Sequence, residues 1–255
     1  MLITDTFILL NYPKTGSTFA RKVIEELYHR RLQNRMLLRK CSDRLRLTAR
    51  PFIRELILDN IRIHDGQRKP DHHGCYCQIP NIYRNREIVT VVRNPYDRLI
   101  SAYEYGSWRN RPPVPDKILA ELFPSFPDLD FEDFVCLCEY LIIHGRLNGR
   151  SVDGNIGSQT VQFIQMFFKN PEHVLNELSD SYIDSDQIFE DFAPITFLKQ
   201  ENLRKDLANF LVRKGFPEED ARYVLSHEKV NVTKNKVTDR NALWTEKSLN
   251  YVKQN

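Results

Sequence analysis

A short loop near the start of the sequence is rich in hydrogen-bond donors and could hold an anion. It reads Lys14-Thr15-Gly16-Ser17-Thr18. Gly16 permits a tight turn, successive backbone N–H groups can converge on one point, and a following helix adds partial positive charge. Lys14 supplies a full charge, and the three hydroxyl side chains supply further donors. The loop therefore predicts a site for a phosphate-like group; the alternative is a strand-to-helix turn without a ligand.

The order of residues in this loop differs from that of a nucleoside triphosphate site. Such a site reads GxxxxGK[ST], with the lysine after the second glycine and a serine or threonine on magnesium. Here Lys14 precedes Gly16, and Arg93 follows a predicted strand where that class keeps a metal-binding aspartate. The arginine indicates direct binding of a second anionic group. An ATP-dependent kinase-like enzyme is therefore the alternative hypothesis.

A second segment could bind that other anionic group. Arg93 ends the predicted strand, and Ser101 lies about two turns into the helix predicted to follow. Both side chains could reach one phosphate, and arginine offers a forked pair of donors.

Together, the two segments resemble motifs of the sulfotransferase family. PKTGST, residues 13–18, is similar to its 5′-phosphosulfate loop, and RNPYDRLISAY, residues 93–103, to its 3′-phosphate motif. The resemblance implies a P-loop NTPase-like sulfotransferase fold, 3′-phosphoadenosine 5′-phosphosulfate (PAPS) as co-substrate, and no required metal. It also implies that Lys14 takes part in catalysis. The residues it assigns to nucleotide binding are Lys14, Thr15, Gly16, Ser17, Thr18, Arg93 and Ser101.

A histidine segment before the second motif contains a candidate catalytic base. HGCYCQIP, residues 73–80, is similar to the His-x-x-Tyr-x-x-Ile-Pro stretch of carbohydrate sulfotransferases, which makes His73 the candidate. An imidazole with an unperturbed pKa of ~6.5 can accept a proton near neutral pH. His72 is the main competitor, and a surface or core histidine is the alternative. This branch implies a glycan or other small-molecule acceptor; shorter similar stretches occur at 159–160, 198–203, 231–233 and 244–246.

The family's C-terminal RKGxxGxW-type loop has no convincing counterpart. Arg213-Lys214-Gly215 matches its first letters but ends a helical pattern. Lys234 and Lys236 are the alternative candidates for closing over the nucleotide.

Apolar runs and helical spacing predict the elements that position these motifs. Buried strands are expected at 7–10, 88–92 and 195–198. Helices are expected from a cap at Ser17 or Thr18 to about 30, and at 95–105, 130–145, 159–168, 171–178, 203–214 and 217–225. Residues 106–130, rich in proline and aromatic side chains, are expected to form an irregular excursion that either shapes the acceptor pocket or packs over the sheet. The alternation predicts an α/β fold, a three-layer sandwich with a central parallel sheet, in one domain over residues 1–255.

Composition narrows the class of protein. The chain has 255 residues, 41% hydrophobic and 28% charged, with a net charge of +3 and no apolar run long enough to predict a membrane span. A cytoplasmic enzyme is expected unless Met1 is an artificial start, and the sequon at 231–233 does not change this. Residues 21–54 are basic, but we interpret them as a solvated helix face, so nucleic acid is not an expected partner. A non-catalytic module that binds an anionic nucleotide or polysaccharide stays open.

The cysteines predict neither disulfides nor a metal site. Five cysteines, at 41, 75, 77, 136 and 138, form no regular framework and are expected to be reduced thiols. The His72–Cys77 stretch has no second cysteine or histidine pair that would complete four ligands.

Overall fold

Five strands form one mixed sheet in a computed structural model, which describes residues 1–39, 51–59, 70–110, 116–141, 156–228, 230 and 239–254. The strands of the described residues are β1 (Leu2–Thr4), β2 (Phe7–Leu10), β3 (Ile53–Glu55), β4 (Leu58–Asp59), β5 (Pro70–Asp71), β6 (Glu87–Val92) and β7 (Ile195–Lys199). The order in the main sheet is β3-β1-β2-β6-β7, and β4 pairs with β5 separately. The predicted strands at 7–10, 88–92 and 195–198 are all present.

The α/β class is confirmed, but the prediction of a parallel sheet is wrong. Strands β2, β6 and β7 are parallel, whereas β1 pairs antiparallel with both β2 and β3. Only Asp5 and Thr6 separate β1 from β2, and a connection of two residues can make a hairpin but not a parallel crossover. The Thr4 hydroxyl accepts the Phe7 N–H at 3.0 Å and donates to the Phe7 carbonyl at 2.7 Å, which closes this turn.

Strand β2 is buried on both faces, as its unbroken apolar sequence predicts. Phe7 and Leu9 contribute to one hydrophobic cluster, and Ile8 and Leu10 to another. The first cluster includes apolar residues of the helices that follow β2 and β7, and the second includes Cys75, Ile79, Met166 and Phe167. The sheet is therefore covered on both faces, and loops follow the carboxyl ends of its parallel strands β2, β6 and β7.

Most of the predicted helices are present among the described residues. These are α1 (Ser17–Arg39), α2 (Pro95–Tyr105), α3 (Ser107–Asn110), α4 (Asp116–Leu122), α5 (Phe131–Leu141), α6 (Ser158–Phe167), α7 (Pro171–Glu177), α8 (Asp180–Ile183), α9 (Gln187–Asp191), α10 (Leu203–Arg213), α11 (Glu218–Ser226) and α12 (Glu246–Gln254). Short 3₁₀ helices lie at Tyr76–Gln78, Asn81–Tyr83, Gln200–Asn202 and Asn241–Leu243. No helix in these ranges is long and apolar enough to cross a membrane.

Two helix predictions need correction. Helix α1 extends to Arg39, past the expected end near residue 30, because the residues that follow are mostly good helix formers. The N–H groups of Phe19 and Ala20, in the first turn of α1, donate to the carbonyl of Gly16, so Gly16 occupies the capping position expected for Ser17 or Thr18.

The segment 106–130 is partly helical, not irregular throughout, because α3 and α4 lie within it; residues 111–115 are outside the described ranges. Trp108 and Phe123 are buried, and their cluster includes Phe131 and Phe134 of α5. These aromatic side chains therefore form part of a core with α5. This favours a packing role for the segment, and not the shaping of an acceptor pocket. The expected end of α5 near residue 145 lies outside the described residues.

Candidate functional site

Parallel pairing brings the two predicted anion-binding segments together. Leu10 lies opposite Thr90 in the β2–β6 pair, and the Thr90 hydroxyl donates to the Leu10 carbonyl at 3.0 Å. The loop after β2 and Arg93 after β6 therefore leave the same edge of the sheet. An Arg93 guanidinium N–H donates to the carbonyl of Lys14 at 3.4 Å, so the two segments are in direct contact.

The loop between β2 and α1, residues 11–16, turns through two left-handed positions. Lys14 has φ of 65° and Gly16 has φ of 91°. A lysine in this region costs free energy that surrounding contacts must offset, of order 1–3 kcal/mol. A Cβ on Gly16 would meet a Leu203 side-chain carbon at 3.1 Å, so a larger residue here would also crowd that side chain.

Two of the predicted hydroxyl donors shape the loop internally. The Thr15 hydroxyl donates to the Tyr12 carbonyl at 2.8 Å, and the Ser17 hydroxyl donates to the same oxygen at 2.9 Å. Both residues are buried, whereas Thr18 is exposed. In this arrangement the donors open to an anion are those of the backbone, Lys14 and Thr18.

Arg98, on α2, links the loop to α6 through its guanidinium, and no role was predicted for it. Its Nε donates to the Pro13 carbonyl at 3.0 Å, and its guanidinium lies 4.0 Å from the centre of the Tyr12 ring. Its other nitrogens donate to the side-chain oxygens of Gln159, at 3.0 Å, and Gln162 on α6. Burial lowers the pKa of Arg98 below its ordinary value. The loop, α2 and α6 are thus joined through one buried cation.

Lys14 is a partly desolvated cation. Burial, assisted by the charge of Arg93, lowers the pKa of Lys14 to about 8, while Glu104 acts in the opposite direction. Its ammonium lies 3.7 Å from the centre of the Tyr105 ring, and that ring is 63% exposed. At neutral pH most of the population therefore carries the Lys14 charge, which an incoming anion could bind.

Arg93 has donor capacity that its described neighbours do not use. Its Nε is buried and has no hydrogen-bond partner among them. Burial is the main cause that lowers the pKa of Arg93, and Asp97 opposes it. An unpaired buried N–H costs about 1–3 kcal/mol, which a bound acceptor could recover.

One face of α2 carries Ser101 between two acidic residues. Asp97, Ser101 and Glu104 recur at helical spacing, so they share a face. Arg240 approaches that face from the segment before α12, with its guanidinium 2.7 Å from a Glu104 carboxylate oxygen and 3.5 Å from one of Asp97. Ser101 itself is half-buried. The C-terminal segment thus brings a third cation to the site.

His73 is hydrogen-bonded to the beginning of the loop. Its Nδ1 lies 2.6 Å from the carbonyl oxygen of Asn11, the residue after β2. A carbonyl only accepts, so Nδ1 carries the proton, and the lone pair of the neutral ring is on Nε2. The ring of His72 is 4.2 Å away between centroids, and burial lowers the pKa of His72. Of the two, His73 is the one that bonds to the loop through its ring.

The His72–Cys77 stretch is a structural support for the site. Cys75 is buried, with its sulfur 3.5 Å from that of Met166, and the Asn11 side-chain amide donates to the His72 carbonyl at 3.1 Å. Within the described ranges, the cysteines at 75, 77, 136 and 138 form no disulfide, as expected of reduced thiols. No group of three His, Cys, Asp or Glu side chains in these ranges is arranged to hold a metal.

Several residues singled out in the sequence lie outside the described ranges or away from this site. Lys234, Lys236, Cys41 and the sequon at 231–233 lie outside the described residues. Arg213 pairs with Glu87 at the other end of β6, so the RKG stretch is a helix end, as expected. Sequence reasoning missed Asn11, Arg98, Glu104 and Arg240; of these, Arg98 and Glu104 lay in or beside the second motif, while no local pattern marked Arg240.

Comparisons with protein-family models, curated proteins and solved structures find no match to this chain.

Replacing Arg98 with methionine should destabilise the fold and loosen the loop. The change leaves the Pro13 carbonyl and two glutamine side chains without their donor, and we expect a loss of about 3 kcal/mol in the free energy of unfolding, measured with urea. Arg98→Lys should not restore the stability, because one ammonium cannot donate to all three acceptors and also contact the Tyr12 ring as the guanidinium does.

The matched control is Arg109→Met. Arg109 also donates to a proline carbonyl, that of Pro127, and lies over an aromatic ring, that of Trp108, but it is exposed. Its loss should cost under about 1 kcal/mol. Equal losses in the free energy of unfolding for the two variants would contradict the stabilising role of the Arg98 hydrogen bonds.

Anion binding should weaken as the pH rises through the pKa of Lys14. Below about 8 the ammonium is charged, and above it the charge is lost. Sulfate keeps its charge throughout, so its affinity should fall about tenfold from pH 7 to pH 9, measured by NMR titration. Lys14→Met should abolish this dependence, and Lys117→Met, an exposed change on α4, should retain it; a flat profile in the wild type would refute the role of Lys14.

Proposed function

We propose that the protein is a sulfotransferase that moves a sulfuryl group from PAPS to an acceptor hydroxyl or amine. The observation that carries this proposal is the contact between the two anion-binding segments. Lys14 and Arg93 lie at the ends of adjacent parallel strands, linked by the bond from Arg93 to the Lys14 carbonyl. A ligand with an anionic group at each end would find a cation at each segment.

The chemistry of the donors fits such a ligand. The first turn of α1 carries no acidic side chain, so its N–H groups retain their attraction for an anion. The buried, unpartnered Nε of Arg93 supports a further acceptor at the second segment. Ser101 lies on the helix that follows, which supports its assignment to the 3′-phosphate.

His73 and Lys14 suit the two ends of an in-line displacement. The acceptor oxygen would form a bond to sulfur while the bond from sulfur to the bridging phosphate oxygen breaks. Nε2 of His73 would take the proton of the acceptor hydroxyl, because Nδ1 is committed to Asn11. Lys14 and the loop N–H groups would stabilise the charge that develops on the leaving phosphate.

The finer proposal is a carbohydrate hydroxyl as acceptor. It rests on the similarity of residues 73–80 to carbohydrate sulfotransferases, and the hydrogen bond from His73 to the loop supports that alignment. The alternatives from the sequence share the anion-binding loop. An ATP-dependent kinase-like enzyme would also need a base but would require magnesium, and a non-catalytic module would need no base.

His73→Asn should remove turnover while preserving nucleotide binding. The asparagine side chain can still donate to the Asn11 carbonyl, but it cannot accept the proton, so the loss should be about 10²–10⁴-fold in kcat. The measurement is transfer of labelled sulfate from PAPS to a panel of glycans, with the affinity for adenosine 3′,5′-bisphosphate expected within threefold of wild type.

The control for this change is His173→Asn, an exposed histidine on α7. It should leave transfer unchanged. An active His73→Asn enzyme would show that another group, His72 first of all, accepts the proton.

Titration with adenosine 3′,5′-bisphosphate should separate the proposed activity from its alternatives. A sulfotransferase should bind this product without magnesium, since Arg93 stands where a metal-binding aspartate would be needed. Calorimetry measures the binding, and the transfer assay follows. Magnesium-dependent binding of ATP in preference to the bisphosphate would favour the kinase-like alternative, and binding without transfer to any acceptor would favour the module.

A further inference from the structure

The carboxylate of Glu104 is buried among the cations of the site. Its side chain is 1% exposed, and it pairs with Arg240 at 2.7 Å. Its charge also raises the pKa of Lys14 and of Arg93, each against the larger effect of burial, so it lies within electrostatic range of both. One carboxylate thus pairs with Arg240 and acts electrostatically on Lys14 and Arg93, cations from three distant parts of the sequence.

These cations would repel each other without that carboxylate. Arg93 lowers the pKa of Lys14, and Arg240 lowers the pKa of Arg93, which are the signs of like charges held close together. Lys14 and Arg93 are partly withdrawn from water, so solvent screens this repulsion poorly. A buried carboxylate is itself costly unless it is paired. The arrangement is therefore mutually dependent: the cations need an anion nearby, and the carboxylate needs the cations.

The position of Glu104 matters because it faces the predicted ligand site. It lies one turn after Ser101 on the same face of α2, and its neighbour Tyr105 lies against the Lys14 ammonium. Asp97, on the other side of Ser101, is 45% exposed and its nearest contact with Arg240 is 3.5 Å, so it is the weaker partner of Arg240, although it acts more strongly on Arg93 than Glu104 does. Glu104 is the buried carboxylate of the two and also acts on Lys14, so it is the better placed to compete with a bound phosphate at the loop.

We propose that Glu104 is an internal counterion, which stands in for the anionic ligand when the site is empty and opposes that ligand when it binds. It holds Lys14, Arg93 and Arg240 in position before the ligand arrives. Its repulsion also weakens the hold on an anionic product, which favours product release. The identity of the ligand as a nucleotide rests on the proposed function, whereas the counterion role concerns any anion at this site.

Glu104→Gln should tighten anion binding. The variant keeps the size of the side chain and removes the opposing charge, so the affinity for adenosine 3′,5′-bisphosphate should rise about tenfold at pH 7, with a steeper dependence on salt. Calorimetry gives the affinity, and sulfate, followed by NMR, serves as a second probe without a nucleoside. Glu104→Asp, which keeps the charge, should bind within threefold of wild type.

Glu87→Gln is the matched control. Glu87 also pairs with two cations, Arg213 and Lys214, but it begins β6, about 20 Å along the strand from Arg93. Its loss should change neither affinity by more than twofold. A similar gain in this variant would mean that net charge alone governs binding.

A double variant keeps the proposal testable if Glu104→Gln does not fold. Arg240→Gln alone should weaken binding of both probes, because one cation is lost. Combining Arg240→Gln with Glu104→Gln removes both charges of the pair, which destabilises the fold less than leaving one charge without its partner. The double variant should bind both probes within threefold of wild type. If Glu104 only braced the site, the double variant would bind as weakly as Arg240→Gln or more weakly.

The outcomes separate this inference from the proposed function. A wild type that binds the bisphosphate, with a folded Glu104→Gln variant that binds no tighter, overturns the counterion and leaves the sulfotransferase proposal intact. If the wild type fails to bind the bisphosphate but Glu104→Gln binds sulfate more tightly than wild type, the counterion role is supported and the nucleotide is rejected as the ligand.

Discussion

The parallel pairing of β2 with β6 is the constraint on which the rest of this site depends. Parallel strands end at the same edge of a sheet, so the register that sets Leu10 opposite Thr90 also sets the loop after β2 beside Arg93. Both strands are buried on both faces, and a slip of one residue would exchange the two hydrophobic clusters. Core packing thus fixes the separation of the two candidate anion-binding segments, which are about 80 residues apart in the sequence.

The loop itself is held by side-chain donors that converge on its backbone carbonyls. The hydroxyls of Thr15 and Ser17 donate to the Tyr12 carbonyl, and Arg98 donates to that of Pro13. These bonds can offset the strain of a left-handed Lys14. Rigid backbone N–H groups are an advantage for binding, because they need no reorganisation when an anion arrives.

The sequence predicted the parts of this arrangement that depend on local patterns. Strand β6 was expected because its residues are β-branched and apolar, and α2 because Pro95 can occupy a first helical turn. Strands β1 and β3 were not expected, since three-residue strands carry too short a pattern, and β1 made the sheet mixed. The hydroxyls of the loop were predicted as donors by type, but only the fold reveals that two of them point inward to Tyr12. Arg240 and Asn11 meet their partners across 136 and 62 residues, and a single sequence carries no signal for contacts at such distances.

The choice of partners for Arg98 and Arg240 decides the charge of the site. Arg98 donates to one carbonyl and two glutamine amides, so its hydrogen bonds are satisfied while its positive charge stays uncancelled by those groups. A carboxylate in place of Gln162 would satisfy the same N–H groups and remove the field at the loop. Arg240, in contrast, is paired with Glu104, which limits the total positive charge near Lys14 and Arg93. A site built only of uncancelled cations would hold an anionic product as firmly as its substrate, and a site in which every cation was paired would attract neither. The described residues combine both kinds of partner, and that balance is what the proposed turnover cycle, with anionic ligands at both ends, would require.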